Sequence, residues 1–511
     1  MHRCLAILDV LVLILGELRP AGTPWNLHYD PLGCKYRDLA SLARTCRMLR
    51  DPALDVLWKA QTLENIFRCF PPGLITKTSD KRTLVLARPI VADDWDRPRI
   101  YTERIRELCL ASLSDILRTI GPDLPGDLFP RLTGIYWHEI SFAAQHVPLF
   151  LHTTLTKIDL KFFSRRPDLS ILNTLAHECP MLQDITIQAS QADIRQLSHF
   201  IANQRCVQSL SLPSVGWKAL QRLSCLDSLI SLKLEFLPFF EFPWVRGPSP
   251  TFSFPHLRAL EISAIPVDDE GTKFFQLCRD VPLVTLIMDL ECATTIAECF
   301  HLFSALSAGC SHSSLTSLSL GGDQRIGDED PESCIIPGNT LQLLFVFVNL
   351  TSVYIQSPSG FNLDDALISD MARAWTRIES LELWSNERVP CRVTLCCFRS
   401  FAQHCPLLEY LAMTVDASDA SVELATLSQT SQESLYTIRM MYSPIATPVP
   451  VAQFLSNLFP ELWVVRTERD YSNDDEEDED SAEDIRHHRC WKEVESLLLP
   501  NTEEDSEAES E

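Results

Sequence analysis

The chain has 511 residues, of which 46% are apolar, and its formal net charge is −25 at pH 7. This length and apolar content are enough for more than one globular domain, so a small disulfide-bonded or wholly disordered protein is excluded. Since no basic patch interleaved with aromatic residues occurs, a nucleic-acid partner is not expected.

The first predicted element is an amphipathic helix in MHRCLAILDVLVLILGEL, with apolar residues at helical spacing at positions 7, 10, 11, 14 and 18. Its basic start and apolar run are also typical of a signal peptide, which a secreted or surface receptor would need. Asp9 interrupts the run, however, and no clear small-residue cleavage site follows Glu17. The segment is also too short and too charged to span a membrane. We therefore expect a helix of a soluble protein, without a membrane partner.

Two further helices are predicted in DLASLARTCRMLRDPALDVLWK, residues 38 to 59. Leu39, Leu42, Ala43 and Cys46 share one helical face. Pro52 is predicted to start a further helix that ends near Trp58. Residues 1–62 therefore form a predicted three-helix module, and residues 63–100 a connecting segment.

The two helical stretches together resemble an F-box, and the similarity is closest to a large group of fungal F-box proteins that begin MHRCL. The segment LARPIVADDWDRPRIYTERIRELCL, residues 86 to 110, resembles that group's entry into its repeats. The resemblance implies that the module binds the Skp adaptor subunit of a cullin-based ubiquitin ligase, with an apolar stripe of helix in an apolar groove. The positions that match the adaptor-facing helices are Ile7, Leu8, Val10, Leu11, Ile14, Leu18, Leu39, Leu42, Cys46 and Trp58. The alternative is that the three helices only cap the end of the repeats.

A repeated ribbon, apolar-x-x-apolar-x-apolar, is the dominant pattern of the chain. It occurs, for example, as Leu182, Ile185 and Ile187, and as Leu315, Leu318 and Leu320. The last two apolar residues alternate with polar ones, as in a β-strand. The fourteen first-position residues, here called markers, are Ile105, Leu132, Leu155, Leu182, Val207, Leu229, Leu257, Leu283, Leu315, Leu350, Ile378, Leu408, Leu435 and Leu462. Their spacing of 22 to 35 residues is close to that of leucine-rich repeats.

Helical stretches lie between the ribbons. IRQLSHFIANQ places Ile194, Leu197 and Ile201 on one face, and LDDALISDMARAW does the same with four apolar residues after Asn362 as the expected N-cap. Several helices end at a residue followed by proline, at Cys179, Cys405 and Phe459.

The repeating unit is therefore strand, loop, helix, loop, and only a stack of such units can bury its apolar faces. We predict an α/β leucine-rich-repeat solenoid over residues 101–467, with a parallel sheet on the concave face. An ordinary doubly wound βαβ domain is the alternative, but the ribbon recurs too often and too evenly for it. Leu318 and Leu383 should be almost fully buried.

Residues 468–511 form an acidic tail. From Asp474 to Glu511 there are 17 acidic and 3 basic residues, so this part contributes −14 to the net charge. Such a composition predicts disorder. CWKEVESLLLP, between the two acidic runs, could instead form a short helix that docks through Trp491 and Leu497 to Leu499.

No motif of catalysis is found, so an enzyme, a cofactor and a phosphate-binding loop are not expected. The 18 cysteines are scattered through apolar helical stretches, which indicates reduced thiols of the cytoplasm or nucleus. Cys391, Cys396, Cys397, His404 and Cys405 fit no standard zinc spacing and are interpreted as core residues.

The predicted function is that of a substrate-recognition adaptor in a Skp–cullin–F-box ubiquitin ligase, and the alternative is a repeat scaffold without a ligase. In a solenoid sheet, the polar ribbon residues point away from the core. The predicted substrate contacts are therefore Asp159, Glu235, Ser319 and Glu382. Their protein partner cannot be named from the sequence.

Overall fold

The computed structural model describes residues 7–18, 34–77, 84–110, 124–138, 149–165, 167–237, 251–265, 269–290, 295–322, 331–385, 391–419, 431–467, 470 and 482–498. The chain divides into two compact units, residues 1–222 and residues 223–511. No helix of the described residues is long and apolar enough to cross a membrane.

The first unit begins with three helices and continues as a parallel sheet. Its helices are α1 Leu8–Glu17, α2 Cys34–Leu42, α3 Arg47–Trp58, α4 Leu63–Phe67, α5 Asp96–Thr102, α6 Ile171–Glu178 and α7 Ile194–Ala202, and α8 Trp217–Leu223 spans the division between the units. A 3-10 turn covers Ala92–Trp95.

Six described strands of the first unit form the sheet, and two more form a separate antiparallel hairpin. The sheet strands, in spatial and chain order, are β1 Ala60–Thr62, β4 Glu107–Cys109, β5 Gly134–His138, β6 Lys157–Phe162, β7 Asp184–Ala189 and β8 Ser209–Leu212. The hairpin consists of β2 Ile75–Lys77 and β3 Leu84–Leu86. Because β1 pairs with β4, the sheet begins well before residue 101, within what the sequence assigned to the helical module.

The second unit is a parallel sheet of nine described strands with helices between them. The sheet strands are β9 Ser231–Phe236, β10 Ala259–Ile265, β11 Thr285–Leu290, β12 Ser317–Gly321, β14 Ser352–Ser357, β16 Ser380–Ser385, β17 Tyr410–Ala412, β18 Thr437–Arg439 and β19 Val464–Arg466. The short strands β13 Ile336–Pro337 and β15 Phe361–Asn362 pair with each other. The helices are α9 Asp269–Leu277, α10 Ile296–Gly309, α11 Gly338–Leu341, α12 Asp365–Ala374, α13 Cys397–His404, α14 Pro448–Leu458 and α15 Ala482–Leu498, with 3-10 turns at Pro331–Cys334 and Gln342–Leu344.

The predicted ribbons are confirmed. All fourteen markers are buried, with at most 2% of their surface exposed, and a strand begins two residues after each one. Leu318 and Leu383 are 1% and 2% exposed, as predicted. In each unit, in-register strands therefore stack their apolar side chains into one core, as expected for an α/β solenoid.

A second buried position recurs three residues before most markers. It is occupied by Thr102, Phe129, Cys179, Gln204, Phe254, Phe347, Trp375, Cys405, Gln432 and Phe459, all of which are buried. At several of these positions the main-chain oxygen accepts the marker's N–H, as in Leu408 to Cys405 at 3.2 Å. Cys405 and Phe459, each directly before a proline, thus close the turn and fill the core, and Cys179 fills the core at the same position, whereas the sequence showed only a helix stop.

Three local predictions are corrected. The helix predicted to start at Pro52 begins at Arg47, and Pro52 lies inside it. The N-cap of α12 is Asp364, whose carboxylate accepts the Leu367 N–H at 2.8 Å, while Asn362 lies in β15. Disorder throughout the tail is wrong for Ala482–Leu498, which form α15 with Trp491 and Val494 buried. A few apolar residues among many charges suffice because they meet a ready-made apolar surface. The rest of the tail lies outside the described residues, apart from Asp470.

Candidate protein-binding surfaces

The inner side of α1 holds the helical module together. Leu11 and Leu15, 3% and 2% exposed, form a core with Leu39 and Ala53, against which Leu18 and Leu42 are partly buried. We therefore correct the prediction for Leu11 and Leu39. Their side chains fill the module and cannot reach an adaptor without unfolding it.

The outer side of α1 is apolar and exposed. Ile7, Val12, Leu13 and Ile14 have 53%, 42%, 71% and 44% of their surface exposed, and Val10 is half-buried between the two sides. Of the predicted adaptor residues on α1, Ile7 and Ile14 are thus exposed, and Val12 and Leu13, which the sequence argument missed, are exposed beside them. The predicted stripe at positions 7, 10, 11, 14 and 18 coincides only in part with the packed side, because Leu15, outside the stripe, is buried whereas Ile7 and Ile14 are exposed. The side chain of Leu8 lies outside the described residues.

The remaining predicted adaptor residues lie around α2 and α3. Leu42 is half-buried and Cys46 is exposed. The ring of Trp58 stacks on that of Tyr101, with centroids 4.5 Å apart, so one of its faces is occupied. Trp58 also stands two residues before β1, where a marker would stand in the other repeats.

Ion pairs connect α3 to the first repeats. The Arg104 guanidinium donates to Asp51 at 2.8 Å and also to Asp55. Beside this contact a groove of about 420 Å³ is lined by Tyr36, Leu57, Trp58, Ala60, Gln61, Asn65, Arg68 and Cys69. The module is thus fixed to the start of the sheet on one side while the outer side of α1 remains uncovered in the described residues.

The open face of each sheet, defined by the strand residues that alternate with the buried ones, carries the predicted substrate residues. In the first unit Asp159 lies between buried Ile158 and Leu160. Burial raises the pKa of its carboxyl, and nearby His138 and the flanking lysines oppose that rise. Lys157, on the same strand, lies over the Tyr136 ring at 5.4 Å from its centroid.

Acidic residues occupy the start of the open face in the second unit. Lys233 pairs with Glu261 across neighbouring strands. Burial raises the pKa of Glu235, and Lys233 opposes the rise. The pKa of Asp289 is raised mainly by burial and further by the negative charge of Glu261. This surface therefore favours a partner that brings positive charge.

An aromatic cluster that the sequence argument missed lies further along this face. Trp384 donates its indole N–H to Glu382 at 3.0 Å, and the Arg439 guanidinium stacks on the Trp384 ring at 3.9 Å. Arg439 reaches Trp384 across β17, where small Ala412 stands in register between Glu382 and Arg439. Only the in-register pairing of strands distant in sequence brings these groups together.

Small residues also make room for the ring of Tyr354. A Cβ atom on Gly321 would lie 2.6 Å from Tyr354 Cε1, so the ring covers that glycine. Ser319 stands in register beside Tyr354, and all four predicted substrate residues are half-buried on open faces. Tyr, Trp and Arg are the residues that most often dominate protein interfaces.

Of the cluster predicted to lie in the core, Cys397 and Cys405 are buried, whereas Cys391, Cys396 and His404 are half-buried. The thiol of Cys391 donates to the Thr414 carbonyl at 3.2 Å, and that of Cys405 to the Ala372 carbonyl at 3.5 Å. Burial raises the pKa of Cys405 to about 12 and that of Cys397 well above its usual value. Within the described ranges, no three His, Cys, Asp or Glu side chains are grouped so that they could hold a metal ion.

Together these features define a leucine-rich-repeat type α/β solenoid preceded by a small helical module. No family model matches the chain, and no curated protein matches it. Among solved structures, a leucine-rich-repeat protein of Leptospira interrogans is similar, with 16% identity, a TM-score of 0.38 and coverage of 67% of this chain and 75% of that one. The yeast Rad7–Elc1 complex gives 16% identity and a TM-score of 0.36, with coverage of 91% and 94%.

Proposed function

We propose that the protein is the non-enzymatic substrate-recognition adaptor of a Skp–cullin–F-box type ubiquitin ligase. The observation that supports this proposal best is the exposed outer side of α1. Leu13 is 71% exposed on a helix whose inner side is fixed by Leu11 and Leu15. Exposed apolar side chains on a pre-ordered helix match a partner that offers an apolar groove.

In this proposal the open faces of the solenoid hold the substrate protein. Asp159, Glu235, Ser319 and Glu382 provide polar contacts, and Tyr354 and Trp384 add apolar surface. The adaptor accelerates ubiquitin transfer by raising the effective concentration of the substrate near the ligase, not by chemistry of its own.

Co-purification with the Skp adaptor tests the first half of the proposal. We expect Leu13→Asp with Ile14→Asp to abolish co-purification, because both charges would enter an apolar groove. The module should still fold, since both side chains are exposed. Val85→Asp with Ile100→Asp is the matched control, because these residues of the same unit are 47% and 51% exposed but lie outside the three-helix module. Retention of the adaptor by the first variant would contradict the proposal.

The second candidate function is a repeat scaffold without a ligase, in which the three helices serve as an end cap. The contacts of Arg104 with Asp51 and Asp55, and of Trp58 with Tyr101, favour a capping role. Under this alternative the wild-type protein retains no adaptor, while Arg104→Ala still lowers the melting temperature.

A further inference from the structure

In the second unit, the residues directly after the markers form a row that crosses the sheet at the amino-terminal ends of its strands. Each main-chain oxygen of this row accepts the N–H of the next residue in the row, at 2.7 to 3.3 Å. We call this row the edge ladder. In order, it consists of Ile230, Arg258, Val284, Thr316, Thr351, Glu379, Glu409, Tyr436 and Trp463.

The carboxyl-terminal end of the edge ladder differs from the rest in chemistry. Glu379 and Glu409 are exposed, and Tyr436 and Trp463 are 40% and 54% exposed. Neighbouring strands of a sheet are about 4.8 Å apart, so these four residues stand side by side. Trp463 is the most exposed tryptophan among the described residues. Because more than half of the Trp463 surface is exposed to water, this side chain contributes little to the core.

The surroundings of the two aromatic residues are acidic. Glu433, two residues before the marker Leu435, and Glu461, directly before the marker Leu462, are exposed beside the row and add to the negative charge of Glu379 and Glu409. None of the ion pairs found within the described residues includes any of these four glutamates. The nearby Arg377 guanidinium donates to Asn349, on the preceding repeat, at 3.4 Å.

From this arrangement we infer that Glu379, Glu409, Tyr436 and Trp463 form a docking site for a protein segment that carries lysine or arginine side chains. The faces of Trp and Tyr attract such cations, and the flanking carboxylates complement their charge. Anionic membranes, nucleic acids and acidic peptides are repelled by the same four glutamates. The site includes no residue of α1 and none of the open face, so it does not depend on the proposed ligase role.

Binding of a fluorescein-labelled octapeptide of alternating lysine and serine to the full-length protein tests the inference. We expect Tyr436→Ser with Trp463→Ser, and separately Glu379→Gln with Glu409→Gln, to weaken binding about tenfold or more. Asp227→Asn with Ile230→Ser is the matched control, because it removes one exposed charge and one exposed apolar group at the opposite end of the same row. It should leave the affinity unchanged. No binding by the wild type, or equal weakening in all three variants, would overturn the inference.

Carbodiimide crosslinking of the same peptide locates the contact on the wild-type protein. The expected products join peptide lysines to Glu379 or Glu409. Products confined to the acidic run after residue 473 would mean unspecific attraction by the tail and would overturn the inference. Co-purification with the Skp adaptor should be normal in all three variants, so failure of this site and failure of the ligase proposal can be told apart.

Discussion

Trp491 donates its indole N–H to the main-chain oxygen of Ser443 at 2.9 Å, across 48 residues of chain. The Trp491 side chain is 1% exposed. In the same helix, Glu495 accepts the Val465 N–H at 3.0 Å and Lys492 donates to the Val465 oxygen at 3.3 Å. Helix α15 therefore satisfies polar groups of β19, the last of the described strands of the sheet, which would otherwise be left at an open edge.

Loss of this helix should destabilise the second unit. We expect Trp491→Ala to lower the free energy of unfolding by about 3–5 kcal/mol, because a buried aromatic side chain and its hydrogen bond are lost together. Urea unfolding measures the change. Leu497→Ala is the control, since Leu497 is 50% exposed and should change stability little. An unchanged unfolding midpoint in Trp491→Ala would show that α15 does not contribute to the fold.

Replacing a buried ribbon leucine by alanine tests whether these side chains stabilise the core. Leu318→Ala and Leu383→Ala should each cost about 2–5 kcal/mol, as cavities in a close-packed interior do. Ser319→Ala, next to Leu318 but on the open face, should lie within about 0.5 kcal/mol of the wild type. Calorimetry of the three variants gives the comparison. A cost at Ser319 equal to that at Leu318 would be inconsistent with the alternation of buried and open positions.

Gln204 and Gln432 are buried at the same position of the repeat, three residues before a marker. Replacement by leucine should change the free energy of unfolding differently at the two positions. The Gln432 amide donates to the Leu408 oxygen at 2.8 Å and accepts the Leu435 N–H at 2.9 Å. Gln204 is fully buried, and neither of its amide atoms has a hydrogen-bond partner within the described residues. Gln432→Leu should therefore cost about 1–3 kcal/mol, whereas Gln204→Leu should be neutral or stabilising. Thermal unfolding of both variants decides the matter, and equal losses would contradict this account.

The Arg88–Asp94 pair predicts a pH-dependent stability. The carboxylate of Asp94 accepts from the Arg88 guanidinium at 2.6 and 2.8 Å and from the Val91 N–H at 2.9 Å. These hydrogen bonds, of which the bond from Arg88 has the largest effect, lower the pKa of Asp94 to about 2. The ionised group thus stabilises the folded state above the unfolded pKa of about 3.9.

That contribution is lost as the pH falls through the folded pKa. Asp94→Asn should accordingly melt at a lower temperature than the wild type at neutral pH, and the difference should shrink as the pH falls from about 4 toward 2. Asp93→Asn is the control, because Asp93 is exposed. A difference in melting temperature that stays constant with pH would mean that the negative charge of Asp94 does not contribute to the stability.

The sequence predicted the strands well because their signal is local. Each marker and the alternating residues after it lie within six positions, and burial of one side of a sheet requires that alternation. β1 was missed because Trp58, at the marker position, belongs to a helix and is followed by Ala60, Gln61 and Thr62, which carry no leucine pattern. The start of the sheet was therefore predicted too late.

What the sequence determined by itself is thus the solenoid architecture, the register of its fourteen ribbons and the apolar character of α1. Only the tertiary structure decided which apolar residues of α1 pack, because the helix carries apolar residues both inside and outside the predicted stripe. Likewise, only packing could show that α15 docks despite the surrounding charge, or that Arg439 stacks on Trp384. Such contacts depend on the stacking of strands far apart in the chain, and no local pattern encodes them.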